Sequence, residues 1–355
     1  MKIVFVLDET WGSALTYYGK NVLEVISDRY QIEIFCIKDS FIDNSSSCNK
    51  VYIKPLRNRN PIKIISAFAS FAKLLRSSNP DIVFAIRGDA TFFSCLLKKS
   101  LNFKLVRIFG ENRKYHPIKN CLDGVIFPSE KLQKSAILKN TLPTIVIPGV
   151  VDRDKFRFNA LGRKSIRDEF SIKDDEILFG SVGRLDPVKG YPELLEAFSD
   201  LSVPNTKLLI VGEQKNENVI NLGKIIRKYN LTNRVTIETK RRDDIANVMS
   251  AFDIGVIPSV GSESIARVML EFMSIGLPVI HTSVGIMSEI SNPDFAYMSA
   301  PNAQSLSESM KSMLKSNLSA MGKNAKQRSF KYSKPLFKEQ IEKFMLLLAD
   351  MPDKN

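Results

Sequence analysis

Short apolar, β-branched runs alternate with amphipathic stretches along almost all of the 355-residue chain. In the first half the runs are 2–7 (KIVFVL), 31–37 (QIEIFCI), 81–86 (DIVFAI), 103–109 (FKLVRIF), 123–127 (DGVIF) and 144–147 (TIVI). Between them, NPIKIISAFASFAKLLRSS sets Ile64, Ile65, Phe68, Phe71, Ala72 and Leu75 three and four residues apart, the spacing of one helix face. The rhythm breaks at 148–158 (PGVVDRDKFRF), where Pro, Gly and clustered charge read as a linker. It restarts with 176–182 (EILFGSV), 207–212 (KLLIVG), 234–238 (RVTIE), 253–257 (DIGVI) and 277–281 (LPVIH). Strand–helix–strand alternation predicts parallel sheets with helices on both faces, an α/β fold of two Rossmann-like doubly wound domains facing a cleft. The expected divisions are 1–150, 151–332 and 333–355. The last holds a helix over about 334–349, with Leu336, Ile341, Phe344, Met345 and Leu348 on one side, crossing back to the first domain. Ligands of such sheets sit beyond the carboxyl ends of the strands, so the loops after the strands are where chemistry is expected.

Composition narrows the class. With 44% hydrophobic and 25% charged residues the chain reads as an ordinary globular protein. Its net charge of +13 is uneven. Residues 1–150 carry 22 Lys and Arg against 12 Asp and Glu, whereas the remainder carries 29 against 26. A basic first half suggests an anionic partner there, or simply a solubilising surface. Cys36, Cys48, Cys95 and Cys121 show no Cys-x-x-Cys spacing, which points to reduced thiols and away from a zinc ribbon or a disulfide framework. The first apolar run stops at Asp8, too short for a signal peptide, and no run approaches the roughly 20 residues of a membrane span. The expected location is the cytoplasm.

Two stretches carry candidate chemistry. In GSVGRLDPVKGYPELLEAF (180–198) a strand ends at Gly183, and Arg184 and Lys189 follow before an amphipathic helix. Arg as a two-pronged donor and Lys as a point charge suit a diphosphate, and Gly183 lets backbone approach a ligand; a solvated turn is the plain alternative. The order of residues is neither a Walker loop nor a dinucleotide turn. The second stretch, SVGSESIARVMLEFMSIGLPVIHTS (259–283), places Glu263 and Glu271 in an apolar framework. A helix starting near 262–264 sets Glu263 at its positive end and Glu271 roughly 12 Å further along. Two such acids suit sugar and ribose hydroxyls. They equally suit a first-turn dipole residue and a solvent-edge charge.

Together, the basic pair and the two glutamates, followed by GLPVIHTSVGIMSEI, resemble the C-terminal domain of the retaining glycosyltransferases of family four, the group 1 glycosyl transferases. The resemblance is carried by 145–295 and extends to the first half by architecture only. It implies the GT-B fold and transfer of a sugar from a nucleotide-diphosphate donor to a cell-surface glycan or lipid-linked acceptor, such as a lipopolysaccharide core. It implies that Arg184 and Lys189 hold the diphosphate, that Glu263 touches the transferred sugar and that Glu271 meets the ribose. Ser264, Ile265 and Ala266 stand where the family has Gly-Phe-Gly. The loop IETKRRDD, with Lys240, stands where the base normally lies. Gly12 and Ser13 are the nearest match to the family's Gly-Gly donor-phosphate turn. No cofactor and no metal are expected. The Asp-x-Asp spelling of Asp152 and Asp154 falls in the linker, here IPGVVDRDKF, and the two cations take the metal's role.

On the acceptor side the candidates are Arg87, Asp89, Glu111, Arg113 and His116. Family members have a cleft histidine on the loop that holds His116, although Glu111 or Asn112 fits that spot equally. His281 ends a strand and reads as packed and satisfied. The basic stretches 54–63 and 113–119 add an anionic membrane surface as a partner, which would place the enzyme peripherally at the inner face of the membrane. No nucleic-acid motif is present. The competing functions are a sugar epimerase or phosphorylase on the same fold, and a non-enzymatic basic binder.

Overall fold

The computed structural model describes residues 1–110, 121–136, 142–213, 218–261 and 263–350. The chain divides into two units, 151–333 forming the second and all other described residues the first. In chain order the first unit holds β1 (Lys2–Leu7), α1 (Ala14–Ile26), β2 (Gln31–Cys36), α2 (Phe41–Ser45), β3 (Asn49–Tyr52) and α3 (Pro61–Ser78). It continues with β4 (Ile82–Ala85), α4 (Gly88–Leu101), β5 (Lys104–Ile108), β6 (Gly124–Phe127), α5 (Glu130–Ser135) and β7 (Thr144–Val146). All seven strands are parallel, in the order β3-β2-β1-β4-β5-β6-β7. Strands covered on both faces read as unbroken apolar runs, and Ile3, Val4, Phe5 and Val6 of β1 are fully buried.

The second unit holds α6 (Ala160–Glu169), β8 (Ile177–Val182), α7 (Tyr191–Ser199), β9 (Thr206–Val211), α8 (Asn218–Lys228), β10 (Val235–Glu238) and α9 (Ile245–Ala251). It continues with β11 (Ile254–Ile257), α10 (Arg267–Ile275), β12 (Val279–Thr282), α11 (Met287–Ile290), β13 (Ala296–Ser299), α12 (Ala303–Leu314) and α13 (Leu318–Arg328). Its six parallel strands run β10-β9-β8-β11-β12-β13. The last helix, α14 (Lys334–Ala349), belongs to the first unit. Val151, just past the boundary, bonds its amide to the Tyr332 carbonyl at 2.9 Å, so the two crossing points of the chain are paired within the second unit.

Local chemistry explains the ends of α3. Asn60 caps it, accepting from the Ile62 amide at 2.9 Å; Pro61 opens it, and Asn79 closes it in the left-handed conformation. Several expectations need correction. β3 and β13 are edge strands with half-buried, mixed sequences (NKVY and AYMS), too polar and short for an apolar-run criterion. The chain crosses between the units within 148–158, after Val150, and Val151 and Phe156 of that segment sit in the core of the second unit. Leu336 is exposed, and Phe337 takes the buried position, edge-on to Tyr18 at 5.6 Å. Cys95 of α4 and Cys121 before β6 form a disulfide, with Cα atoms 5.7 Å apart; Cys36 and Cys48 are free thiols. The two paired cysteines are 26 residues apart, and only the stacking of α4 against the sheet brings them together.

The helix α14 is fixed by burial and by one cap. Ile341, Phe344, Met345 and Leu348 are buried, and the Lys104 ammonium donates to the Leu348 carbonyl at 2.6 Å. Truncating Phe344 to Ala leaves a cavity against β6 and is expected to cost about 3–4 kcal/mol. Chemical denaturation followed by circular dichroism checks it, with Leu336→Ala, at an exposed position, staying within about 0.5 kcal/mol.

Candidate active site

In each sheet the strand order turns about one strand pair, β1/β4 in the first unit and β8/β11 in the second, and the polar groups gather at the carboxyl ends of these pairs. In the second unit, β8 runs into Gly183, Arg184 and a short 3-10 turn over Pro187–Lys189. Gly190 then starts α7 with φ of 69°, and a Cβ there would lie 2.0 Å from the Pro258 carbonyl oxygen. Only glycine fits, because both the left-handed backbone and the contact exclude a side chain. The result is that the two loops lie against each other: the amides of Val260 and Gly261 both donate to the Val188 carbonyl, at 2.9 and 3.1 Å.

That contact sets the central interaction. The Lys189 ammonium is paired with Glu263, and the Ser259 hydroxyl donates to the same carboxylate oxygen at 2.5 Å. Ser259, at the end of β11, is tied to β12 by the Thr282 hydroxyl, which donates to its carbonyl at 2.5 Å. The Glu263 carbonyl accepts from the Ile286 amide at 3.0 Å, beside Gly285, where an added Cβ would come within 2.2 Å of it. Glu263 is thus held through both its backbone and its side chain. Tyr191 donates to the Gly183 carbonyl at 3.0 Å; burial, with the nearby Glu263 and Asp186 charges, pushes its phenol well above the ordinary value. Lys189, Tyr191, Ser259, Glu263 and Val268 line one small hollow.

The sequence expectation for the helix start is corrected here. α10 begins at Arg267, and Glu263 lies in the preceding loop, so the straight-helix separation from Glu271 does not apply. The cap is Ala266, in left-handed conformation with φ of 50°, and no side chain caps the first turn. Ala266 stands where the resembling family has glycine, which explains the strained backbone. Ile265 and Ala266 are buried and Ser264 is half-buried. Val268, in the first turn, lines the hollow, which therefore opens at the positive end of α10.

Arg184 and Glu271 are arranged differently. Arg184 is half-exposed on the loop after β8 and pairs with Asp186 at 3.0 Å. Glu271 is buried within α10, and its carboxylate meets Arg267, one turn earlier, at 3.3 Å. Burial raises its ionisation above the usual carboxylate range, while Arg267 and Lys155 oppose the rise. Lys240 is exposed after the edge strand β10; its amide donates to the Glu238 carboxylate at 2.6 Å. The same loop is pinned by Arg242, which holds Glu169 and Asp244. Asp152 accepts from the Lys155 amide at 3.0 Å, a turn-forming role. His281 is fully buried, with Nδ1 2.8 Å from the Thr282 carbonyl, and burial lowers its ionisation. Its Nε2 has no partner among the described residues, so it is packed but only half satisfied.

The first unit gathers Gly12, Ser13, Arg87 and Asp89 at the ends of β1 and β4. Ser13 caps α1: its hydroxyl accepts from the Thr16 amide and donates to Glu9, and its own amide donates to the Trp11 carbonyl. Both donors are used inside the unit. Gly12 is exposed beside the rings of Phe41 and Tyr17. Arg87 pairs with Glu9 at 3.3 Å and caps α4 by position, and Asp89 sits in the first turn of that helix. Glu111, Asn112, Arg113 and His116 lie outside the described residues. The sequence reading missed Ser259, Thr282 and Tyr191. A serine or threonine closing a buried apolar run is the signal that finds the first two.

Residues 162–328 match the model of the family described as glycosyl transferases group 1. The D-inositol 3-phosphate glycosyltransferase of Mycolicibacterium smegmatis is 31% identical over 145 residues, 40% of this chain and 32% of that one, so this chain spans about a third of that relative's length. The O-antigen biosynthesis glycosyltransferase WclY of Escherichia coli is 23% identical over 317 residues, 82% of each chain. Among solved structures, Anabaena Alr3699/HepE in complex with UDP superposes with a TM-score of 0.87 at 18% identity, covering 98% of this chain and 100% of that one.

The close approach at Gly190 has a direct test. Gly190→Ala is expected to lower stability by about 2 kcal/mol or more, through the left-handed backbone and the contact with Pro258. Chemical denaturation reads the loss.

Proposed function

The chain is a glycosyltransferase with the GT-B architecture, its residues 162–328 belonging to the glycosyl transferases group 1 family, and from that premise we propose that it moves a sugar from a nucleotide-diphosphate donor to a cell-surface glycan or lipid-linked saccharide, with retention and without a metal. The observation that carries this reading is the Lys189–Glu263–Ser259 cluster at the uncapped start of α10.

Two sources of positive potential meet at the hollow, and Arg184 stands on the loop of Lys189, outside the hollow's lining. Lys189 brings a full charge, and the first-turn amides of α10 bring the positive end of a helix dipole. A diphosphate placed at the hollow competes for Lys189 and leaves Glu263 to accept hydrogen bonds from sugar hydroxyls. Glu271 then meets the ribose, which requires its carboxylate to turn from Arg267. Lys240, beside the base, completes the donor side. The complex of HepE with UDP supports a nucleoside diphosphate, uridine first among the bases to try. The O-antigen role of WclY supports a surface-glycan acceptor.

In the proposed reaction the bond between the anomeric carbon and the diphosphate oxygen breaks. A new bond forms from that carbon to the acceptor oxygen on the same face, and the acceptor proton passes to the departing diphosphate. The two cations hold the charge that develops on the leaving group, so positioning and electrostatics supply the rate. Arg87 and Asp89 are acceptor-side groups in this reading.

Membrane contact belongs to the same proposal. No helix among the described residues is long and apolar enough to cross a membrane. On α3, however, Ile62 and Ile65 are 75% and 68% exposed, beside Arg57, Arg59 and Lys63. Exposed apolar residues within a basic patch suit an anionic lipid surface.

Two experiments test these statements. In a thermal-shift panel of UDP, GDP, ADP and CMP, one nucleotide raises the melting temperature of the wild type. Lys189→Ala and Arg184→Ala each weaken that nucleotide about tenfold or more, and wild-type binding in both variants removes the site assignment. In sedimentation with phosphatidylglycerol vesicles, the protein binds at low salt and Ile62→Glu/Ile65→Glu releases it. Equal binding by this variant refutes the α3 contact.

A further inference from the structure

One buried acid has no part in the chemistry above. Asp8 follows β1 directly and is 6% exposed, and among the described residues neither of its carboxylate oxygens has a hydrogen-bond partner. Buried polar groups are almost always paired, because an unpaired carboxylate gives up its hydration for nothing. Its position is equally specific. The strand order of the first unit turns between β1 and β4, and ligands of open parallel sheets take the crevice at that turn.

The charged groups around Asp8 are already committed or repulsive. Arg87, at the start of α4, attracts the Asp8 charge but is paired with Glu9 at 3.3 Å. Glu9 in turn accepts from the hydroxyls of Ser13 and Thr16 through its other oxygen. Asp89 on α4 and Glu9 both oppose ionisation of Asp8. Burial is the largest influence and pushes its carboxyl up to about 6, so it is mostly ionised at neutral pH. Among the described residues, three acids, Asp8, Glu9 and Asp89, stand against one arginine and repel a phosphate or carboxylate. What fits is a neutral group that brings hydrogen-bond donors.

We propose that Asp8 is a sugar-binding residue whose two buried, unpartnered oxygens accept from adjacent hydroxyls of a saccharide that enters the β1/β4 crevice. The assignment rests on the transferase reading, since it supplies the acceptor-side contact that reading needs. Trp11, three residues further along the same loop, is 43% exposed and brings an aromatic ring to that loop. It is the only tryptophan in the chain.

The single tryptophan makes the test direct. The full chain is titrated at neutral pH with methyl glycosides of glucose, galactose, mannose and N-acetylglucosamine, following Trp11 fluorescence. At least one glycoside is expected to give a saturable change, and Asp8→Asn to weaken it about tenfold or more. A second measurement separates binding from a structural role. Because the folded carboxyl ionises at about 6 and the unfolded one near the ordinary 3.8 of an aspartate, ionisation disfavours the fold as pH rises through that window. Asp8→Asn therefore raises the melting temperature at neutral pH, and the gain vanishes below about pH 4. Failure of every glycoside to bind, wild-type affinity in Asp8→Asn, or a lower melting temperature of that variant at neutral pH each overturns the proposal. The nucleotide panel is run on the same preparation. A protein that answers to a nucleotide and ignores every glycoside loses this inference alone, whereas silence toward all nucleotides removes the donor reading.

Discussion

A parallel strand covered by helices on both faces has little room for an unpaired charge at its centre. The candidate residues Lys189, Ser259, Arg87 and Asp8 accordingly stand just beyond strand ends, at the strand pairs where the order of strands reverses. In the second unit the constraint is met by pairing: Lys189 from the β8 loop and Ser259 from the end of β11 share one oxygen of Glu263. In the first it is met only in part, with Arg87 given to Glu9 while Asp8 stays open. The contrast between a closed cluster and an open acid follows from one rule acting on two similar sheets.

The strands buried on both faces were legible in the sequence because their runs are unbroken and β-branched, as in KIVFVL. Two of the four edge strands, β3 and β13, were not, because they mix polar residues into four half-buried positions. The α14 helix was legible as a helix but not in its rotation. Leu336 and Phe337 are neighbours, and apolarity alone does not say which of them turns inward. The Cys95–Cys121 bond was hidden for a different reason: contacts between α4 and the segment before β6 are set by tertiary packing, on which spacing in the chain is silent.

The candidate site was legible by residue type and not by geometry. Arg184, Lys189 and Glu263 stand at strand ends, where a reading of apolar runs can place them. The backbone between Glu263 and Glu271 could not be read that way. Ala266 adopts the left-handed conformation that ends the loop and starts α10, and alanine gives no sign of it in a sequence. Alanine at this left-handed position carries a backbone strain that glycine would not. Ser259 and Asp8, polar residues closing apolar strands, show that the residue just after such a run deserves the same scrutiny as a motif.

The chain leaves the first unit after Val150 and returns to it at Lys334, with the second unit made in between. A ribosome therefore delivers the seven-stranded sheet long before the helix that covers Tyr18 and Gly124. Until α14 emerges, an apolar flank of that sheet stays wet and open to chaperones, while residues 151–333 have all their own strands and can close first. Order of synthesis and order of completion are then reversed: the domain begun first is finished last.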